Sequence, residues 1–341
     1  MSKKQIIEAA NLKIGYNDTS KEKVVHQGLN FQLNLGELTC LLGANGAGKS
    51  TLLRTLSAAQ PRLDGKLSLD GKPINEYSER ERSKLIGVVL TDKIFAGGLT
   101  VYELVSLGRQ PHTGFFGRLS KKDNEIIKQA IKSVGIEHKS ESYVAELSDG
   151  ERQKVMIAKA LVQESPLIIL DEPTAFLDVV SRIEIMQLLH KIASEHNRAI
   201  LLSTHDIDQA LVLADKLWLL TKGQGIICGT TEDIILQHKM ENLFPNSNIK
   251  FDYDHGVYYP TVHGDKKLAL YASDKTLLHW CLNALNRIGY SCKILQSTDE
   301  QCNHKIKLVA DSPNKLHLQT QKHSLTLNNF EELLTNLFLI N

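Results

Sequence analysis

Gly43, Gly46, Gly48, Lys49 and Ser50 stand in the spacing G-x-x-x-x-G-K-[ST] within Leu41-Leu-Gly-Ala-Asn-Gly-Ala-Gly-Lys-Ser-Thr51. This spacing suits holding a chain of phosphates. The glycines let the backbone curl so that successive N–H groups of Gly43, Ala44, Asn45, Gly46, Ala47 and Gly48 face inward as an anion-binding nest. Lys49 can reach the outer phosphates as a point charge, and the Ser50 hydroxyl can ligate Mg2+. Glu37–Leu42 reads as a buried strand entering the loop, and Ser50–Leu56 as a helix leaving it with Thr51 in its first turn. That helix aims its positive dipole end at the phosphates. The competing reading is a glycine-rich turn that binds nothing. Strand, loop, Lys-Ser pair and helix together favour a bound nucleotide.

A second pair of groups follows the apolar run Leu167-Ile-Ile-Leu170, where the chain presents Asp171 and Glu172. Adjacent carboxylates at the end of a buried strand lie where α/β sheets bind ligands. Asp171 suits holding Mg2+ through water, and Glu172 can act as general base on an attacking water. His205 follows the strand Ala199–Thr204 and reaches the same kind of position. It is a structural histidine or, in this company, a sensor of the terminal phosphate. Ser148 and Glu151 have the S-x-x-E spacing of a capping box. The helix they open is either simply well capped, or it exposes Ser148 and Gly150 to a phosphate.

These groups need a scaffold, and composition bounds it. The 341 residues are 42% hydrophobic and 23% charged, with a net charge of +1. That is ordinary globular composition, large enough for one big and one small domain, with no global pull toward nucleic acid. Cys40, Cys228, Cys281, Cys292 and Cys302 are scattered without a C-x-x-C pair, which argues against a disulfide framework or zinc knuckle. The start, Met-Ser-Lys-Lys-Gln, has no apolar segment of the signal-peptide kind. No run approaches the roughly 18 apolar residues of a membrane span. A soluble cytoplasmic protein is expected.

The pattern gives strands over Gln5–Tyr16, Gly28–Leu35, Gly65–Gly71, Leu85–Leu90, Leu167–Leu170 and Ala199–Thr204. Helices are expected over Thr100–Leu107, Glu125–Val134, Leu147–Gln163 and Val180–His196, with a glycine-rich aromatic loop over Gly108–Gly117. Alternating buried strands and helices imply an α/β domain with a largely parallel sheet. Periodicity lapses near Gln237–Asn248, so the domains are taken as 1–244 and 245–341. In the second, strands over Lys267–Ala272, Ser291–Leu295, Lys305–Ala310 and Leu316–Leu318 and helices over Lys275–Ile288 and Phe330–Leu339 predict a small α+β module.

Taken together, residues 5–235 resemble the ATP-binding subunit of an ABC (ATP-binding cassette) transporter. Gly43–Ser50 matches the Walker A loop, Leu167–Glu172 the Walker B strand, Leu147–Glu151 the signature motif, Ala175–Asp178 the D-loop and His205 the switch histidine. Tyr16 stands where the family places an aromatic on adenine. The resemblance implies a P-loop nucleoside triphosphatase fold with a helical subdomain at about 97–163, binding ATP and Mg2+. It implies Glu172, His205 and Lys49 as catalytic residues, a homodimer in which Ser148 and Gly150 meet the nucleotide of the other copy, and Asp178 of the D-loop as a further nucleotide-binding residue. It further implies a membrane permease as partner, with a substrate-binding protein acting indirectly and no nucleic acid. The protein would then sit peripherally on the cytoplasmic face of the inner membrane. Thr100–His112, with its Gly-Arg-x-Pro-His element, looks most like importers of iron–siderophore complexes, haem and vitamin B12.

Two departures stand out. Thr91, followed by Asp92, replaces the glutamine expected after Ile86–Leu90, so any contact with Mg2+-bound water there falls to a threonine hydroxyl. The signature reads Leu-Ser-Asp-Gly-Glu rather than Leu-Ser-Gly-Gly-Gln, and Asp149 and Glu151 are expected to face away as helix-start acids. Residues 249–341 lie outside the resemblance. Their histidines (255, 263, 279, 304, 317, 323) lack tight ligand spacing, and analogy suggests a regulatory or dimer-stabilising role. The rival class is a soluble, non-transport cassette ATPase acting on nucleic acid or ribosomes. Such proteins usually carry two cassettes in one chain and tend to be basic, whereas this chain has one phosphate loop and is not basic.

Overall fold

The computed structural model describes residues 3–17, 22–90, 98–114, 117–245, 248–260, 264–298, 300, 304–321 and 323–339. Contacts divide the chain into two compact units, 1–247 with 251–257, and 248–250 with 258–341.

The first unit opens with two long antiparallel strands, β1 (Gln5–Asn17) and β2 (Glu22–Asn34), and the short β3 (Leu38–Leu42). Helix α1 (Lys49–Leu56) leaves the glycine-rich loop. Next come β4 (Asp64–Leu69), β5 (Lys72–Pro73), α2 (Glu79–Leu85) and β6 (Ile86–Val89). The helical segment contains α3 (Val101–Ser106), α4 (Lys121–Ser133) and α5 (Asp149–Leu161). Then β7 (Leu167–Asp171), α6 (Val179–Glu195), β8 (Ala199–Ser203), α7 (Ile207–Leu213), β9 (Lys216–Thr221), β10 (Gly225–Thr230) and α8 (Thr231–Leu236) complete the unit.

Two sheets result. One has the order β2-β1-β4-β5, and the other β10-β9-β3-β8-β7-β6. In the second, β6, β7, β8, β3 and β9 run parallel, and only β10 is antiparallel. Every residue of β3 and β8 is buried, as expected for strands covered on both faces. Leu41, Leu52, Leu56, Leu167, Leu201 and Trp218 share a core with Ile7, Leu29 and Phe31 of the antiparallel sheet. The Phe31 and Trp218 rings meet at 4.5 Å. The C-terminal ends of β3, β7 and β8 therefore share one edge, and each carries a loop with candidate chemistry.

The helical segment starts each of its helices with a reciprocal cap: Thr100 with Glu103, Ser120 with Asp123, and Ser148 with Glu151. Of the loop expected over 108–117, the first part forms a 3-10 turn, Leu107–His112, and residues 115 and 116 lie outside the described residues. The cause of the turn is tertiary. A side chain at Gly108 would collide with the Lys159 carbonyl and Val162, so glycine lets this turn press onto the end of α5. Arg109, only 4% exposed, reaches Asp123 at 2.8 Å, Glu164 at 2.6 Å and the Val162 carbonyl at 2.7 Å.

Two short strands, β11 (Ile249–Asp252) and β12 (Val257–Pro260), form where the chain passes from one unit to the other. The second unit holds β13 (Lys266–Ala272), α9 (Lys275–Arg287), β14 (Tyr290–Ile294), β15 (Ile306–Ser312), β16 (Lys315–Thr320), β17 (Ser324–Leu327) and α10 (Phe330–Leu339). Its sheet has the order β14-β13-β15-β16-β17, with β13 parallel to both neighbours. Leu268, Leu270, Leu308, Leu316 and Leu318 bury against Cys281 and Leu285 of α9 and Leu333 and Leu337 of α10. Among the described residues, Cys40, Cys228, Cys281 and Cys292 are free thiols. No helix among them is long and apolar enough to cross a membrane.

Candidate active site

The site grows from the loop between β3 and α1. Gly43 must be glycine because a side chain there would lie 2.7 Å from the Leu220 carbonyl oxygen. Gly48 takes φ 98°, in the left-handed region that L side chains avoid, and ends the loop as the N-cap of α1. Lys49 folds back over the loop and donates to the Gly43 carbonyl at 2.9 Å. Only 6% of Lys49 is exposed. Burial pushes its ammonium below the ordinary lysine value, while the negative charges of Glu172 and Asp171 pull it back up. Its contacts, the Gly43 carbonyl and the His205 ring, place the ammonium between the loop and the end of β8.

Lys49 Nζ lies 3.3 Å from His205 Nε2, and that same nitrogen lies 2.7 Å from Glu172 Oε1. A carboxylate only accepts, so the short contact places a proton on Nε2, donated to Glu172. The lysine then sits beside the ring rather than donating to it. Thus Lys49, Glu172 and His205, contributed by the ends of β3, β7 and β8, form one contact chain.

Glu172 has φ 48°, an uncommon conformation for a residue with a side chain, and worth about 1 kcal/mol of strain. Two contacts hold it there. Its N–H bonds the Ser203 carbonyl at 3.1 Å and the Ser203 hydroxyl at 2.9 Å. The same hydroxyl donates to Asp171 Oδ1 at 2.6 Å. Thr174 Oγ1 donates to Asp206 at 2.5 Å, and Arg182 pairs with the same carboxylate at 2.8 Å, tying the turn after Glu172 to the turn after His205.

Ser50 is exposed at the start of α1, and Asp171 ends β7. A hydroxyl and a carboxylate are the hard oxygen donors that Mg2+ takes, so this pair fits that ion. Thr91, the third expected Mg2+ contact, lies outside the described residues. Tyr16 is half-exposed, and its hydroxyl meets Thr51 Oγ1 at 2.9 Å, which sets its ring beside the first turn of α1.

Ser148, Gly150 and Asp178 gather elsewhere. Gly150 packs on Ser181, where an added side chain would come within 3.1 Å of the serine hydroxyl. Both oxygens of Asp178 accept from Ser181, at 3.0 and 2.8 Å, capping α6 and holding the Asp178 carboxyl below its usual range. Among the described residues, no hydrogen bond joins Ser148, Gly150 or Asp178 to residues 43–51. Glu151 closes the capping box on the Ser148 N–H at 2.9 Å, and Asp149 pairs with Arg152 at 2.7 Å, so both work as helix-start acids. Asp149 and Arg152 also line the cleft that reaches Asp171 and Glu172.

Ser203, Asp206 and His26, which bonds the Ala47 carbonyl, escape the sequence reading. Ser203 left a signal, as the one hydroxyl ending the apolar strand Ala199-Ile-Leu-Leu-Ser203, in register with Asp171.

The description "ABC transporter" belongs to the family model that matches residues 26–175. An uncharacterised ABC transporter ATP-binding protein of Methanocaldococcus jannaschii is 40% identical over 246 residues, 72% of this chain and 83% of that protein. This chain belongs to the ABC transporter ATP-binding proteins. The cassette is also 37% identical over 238 residues to the iron(3+)-hydroxamate import ATP-binding protein FhuC of Bacillus subtilis, covering 70% of this chain and 87% of that one. Among solved structures, cbiO1 of Clostridium perfringens, part of the ABC transporter complex cbiONQ, superposes with a TM-score of 0.60 at 31% identity. The match covers 71% of this chain and 96% of that one. The cassette is therefore an ATPase coupled to transport, with the P-loop α/β fold. The rival reading, a non-transport ATPase on nucleic acid or ribosomes, is not favoured by these relatives.

Proposed function

We propose that this cassette powers import of an iron–siderophore complex, haem or a cobalamin-like compound. In this reading it sits peripherally on the cytoplasmic face of the inner membrane as a homodimer bound to permease subunits, with a substrate-binding protein delivering cargo. The observation that carries the catalytic part is the contact chain Lys49–His205–Glu172 beside the phosphate loop. The importer class is supported by the Bacillus subtilis relative, named for iron(3+)-hydroxamate import.

The steps follow from the residues. Backbone N–H groups of residues 43–48 and the Lys49 ammonium hold the phosphates, and Tyr16 stacks on the base. Ser50 and Asp171 would hold Mg2+, which when bound neutralises phosphate charge. Glu172 accepts a proton from the attacking water. His205, which bonds Glu172 in the structure, exchanges that bond for one to the terminal phosphate and so registers its presence. The Gly150–Ser181–Asp178 cluster is assigned to the second nucleotide of a dimer; among the described residues it makes no hydrogen bond to residues 43–51. The neighbouring Phe176, 84% exposed, with Val179 and Val180 also exposed, is an apolar patch that a second copy would cover.

Glu172→Gln tests this directly. Its steady-state hydrolysis is expected to fall by at least about a hundredfold, with the variant eluting as a dimer in ATP and Mg2+. Normal turnover by a monomeric variant would overturn the assignment. Uptake of labelled iron-hydroxamate, haem and cobalamin by cells with and without the subunit identifies the cargo, and transport of none of them removes the importer class proposed.

A further inference from the structure

Beneath the phosphate loop lies a side chain that touches no expected ligand. His26, on β2 opposite Ile14, is 4% exposed. Its Nε2 meets the Ala47 carbonyl oxygen at 2.6 Å. A carbonyl only accepts, so His26 donates and its Nε2 carries a proton. Gly48 rests on the same floor. A side chain there would lie 2.7 Å from Val25 Cγ1 and 3.2 Å from the His26 ring.

The Ala47 carbonyl and the Gly48 N–H belong to one peptide unit. That unit is planar and trans, so its oxygen and hydrogen point in opposite directions. Drawing the oxygen down onto His26 turns the Gly48 N–H the opposite way, away from His26 and β2. Gly48 is a residue whose backbone needs holding, because at φ 98° it has the freedom of glycine to change conformation. Rotation of this peptide plane would withdraw one N–H from the nest and offer a carbonyl oxygen to an incoming anion instead.

We infer that His26 is a positioning residue for nucleotide binding, locking the 47–48 peptide so that its N–H faces the phosphates. This rests on the phosphate-binding role proposed for residues 43–51. The bond fixes the orientation of this one peptide plane. Its loss therefore weakens binding more than it slows the chemical step, because neither Glu172 nor His205 contacts His26.

The test compares His26→Leu, which fills the space without a donor, with His26→Gln, whose amide N–H restores one. The readouts are the Kd of a fluorescent N-methylanthraniloyl ATP, KM and kcat for ATP, and the thermal midpoint without nucleotide. His26→Leu is expected to raise Kd and KM about tenfold while kcat at saturating ATP stays within about threefold. His26→Gln is expected to recover most of the loss. If His26→Leu does not fold, His26→Met takes its place, since methionine adapts to irregular cavities. Wild-type Kd in the donor-free variant overturns the inference. So does a His26→Gln variant that folds normally yet binds as weakly as His26→Leu. Failure of the wild type to bind the probe overturns instead the reading of the loop.

Discussion

Ser203 Oγ donates to Asp171 at 2.6 Å while accepting the Glu172 N–H at 2.9 Å. One buried hydroxyl on β8 thus orients two successive residues at the end of β7, the one that would hold Mg2+ and the one that would activate water. Because Glu172 is held at φ 48°, the Ser203 contacts are what offset the strain and aim the carboxylate. Ser203→Ala is expected to lower kcat about tenfold or more, with a smaller change in KM, and Ser203→Thr to restore most of the rate. Steady-state ATPase kinetics check this. An alanine variant with unchanged kcat would show that the neighbouring backbone bond to the Ser203 carbonyl suffices.

The site was legible in the sequence because its chemistry is local. Gly43–Ser50, Asp171-Glu172 and His205 each follow an apolar strand run, so a short window reveals both the residue and its position at the sheet edge. Ser203 and His26 were not, because their roles depend on contacts with residues far along the chain, Asp171 and Ala47. Much of the fold follows the same rule. β3, β7 and β8 stand out as apolar runs, whereas the pattern over residues 206–236 assigns no element. There α7 is a single seven-residue helix with only Ala210 fully buried, too short to display a period, and β9 is a continuous apolar run that suits strand and helix alike. The Gly-Arg-x-Pro-His element was recognisable by resemblance, but its physical job was not. Gly108 makes room against α5, Arg109 ties α4 to the end of α5, and His112 meets the Gln163 carbonyl at 2.8 Å.

Asp149 is where the signature departs from its commoner form. Its carboxylate is engaged by Arg152 at 2.7 Å and is largely exposed, so it adds little to stability and does not reach its own phosphate loop. Asp149→Gly is expected to change the ATPase rate by less than about tenfold. A larger loss in a folded variant would mean that this carboxylate, which lines the cleft to Glu172, takes part in the reaction.

Arg109 carries more weight. It is buried and shared among Asp123, Glu164 and the Val162 carbonyl. Removing it leaves a half-buried carboxylate and an unpaired carbonyl, and Arg109→Ala is expected to cost about 3 kcal/mol. Arg109→Lys is expected to recover only part of this, because one ammonium cannot reproduce the planar fork that serves three acceptors. Urea denaturation of both variants measures it. Equal stability of Arg109→Ala and wild type would show that the buried guanidinium contributes nothing net.

The same cluster sets an acid limit. Asp123 is held down from 3.8 to about 2, chiefly by the Ser120 hydroxyl, then by the Ser120 N–H, with Arg109 adding to both. A carboxyl whose value is depressed on folding binds its proton more readily when unfolded. Its contribution to stability is therefore complete above its ordinary value and disappears as pH falls from about 4 toward 2. Asp123→Asn removes the group that titrates in this window. The variant is expected to be less stable than wild type at pH 7, and the difference is expected to shrink steadily as the pH approaches 2. Denaturation midpoints of the two proteins taken from pH 7 to pH 2 test the sign, and a gap that widens on acidification would mean that other carboxylates govern the acid limb.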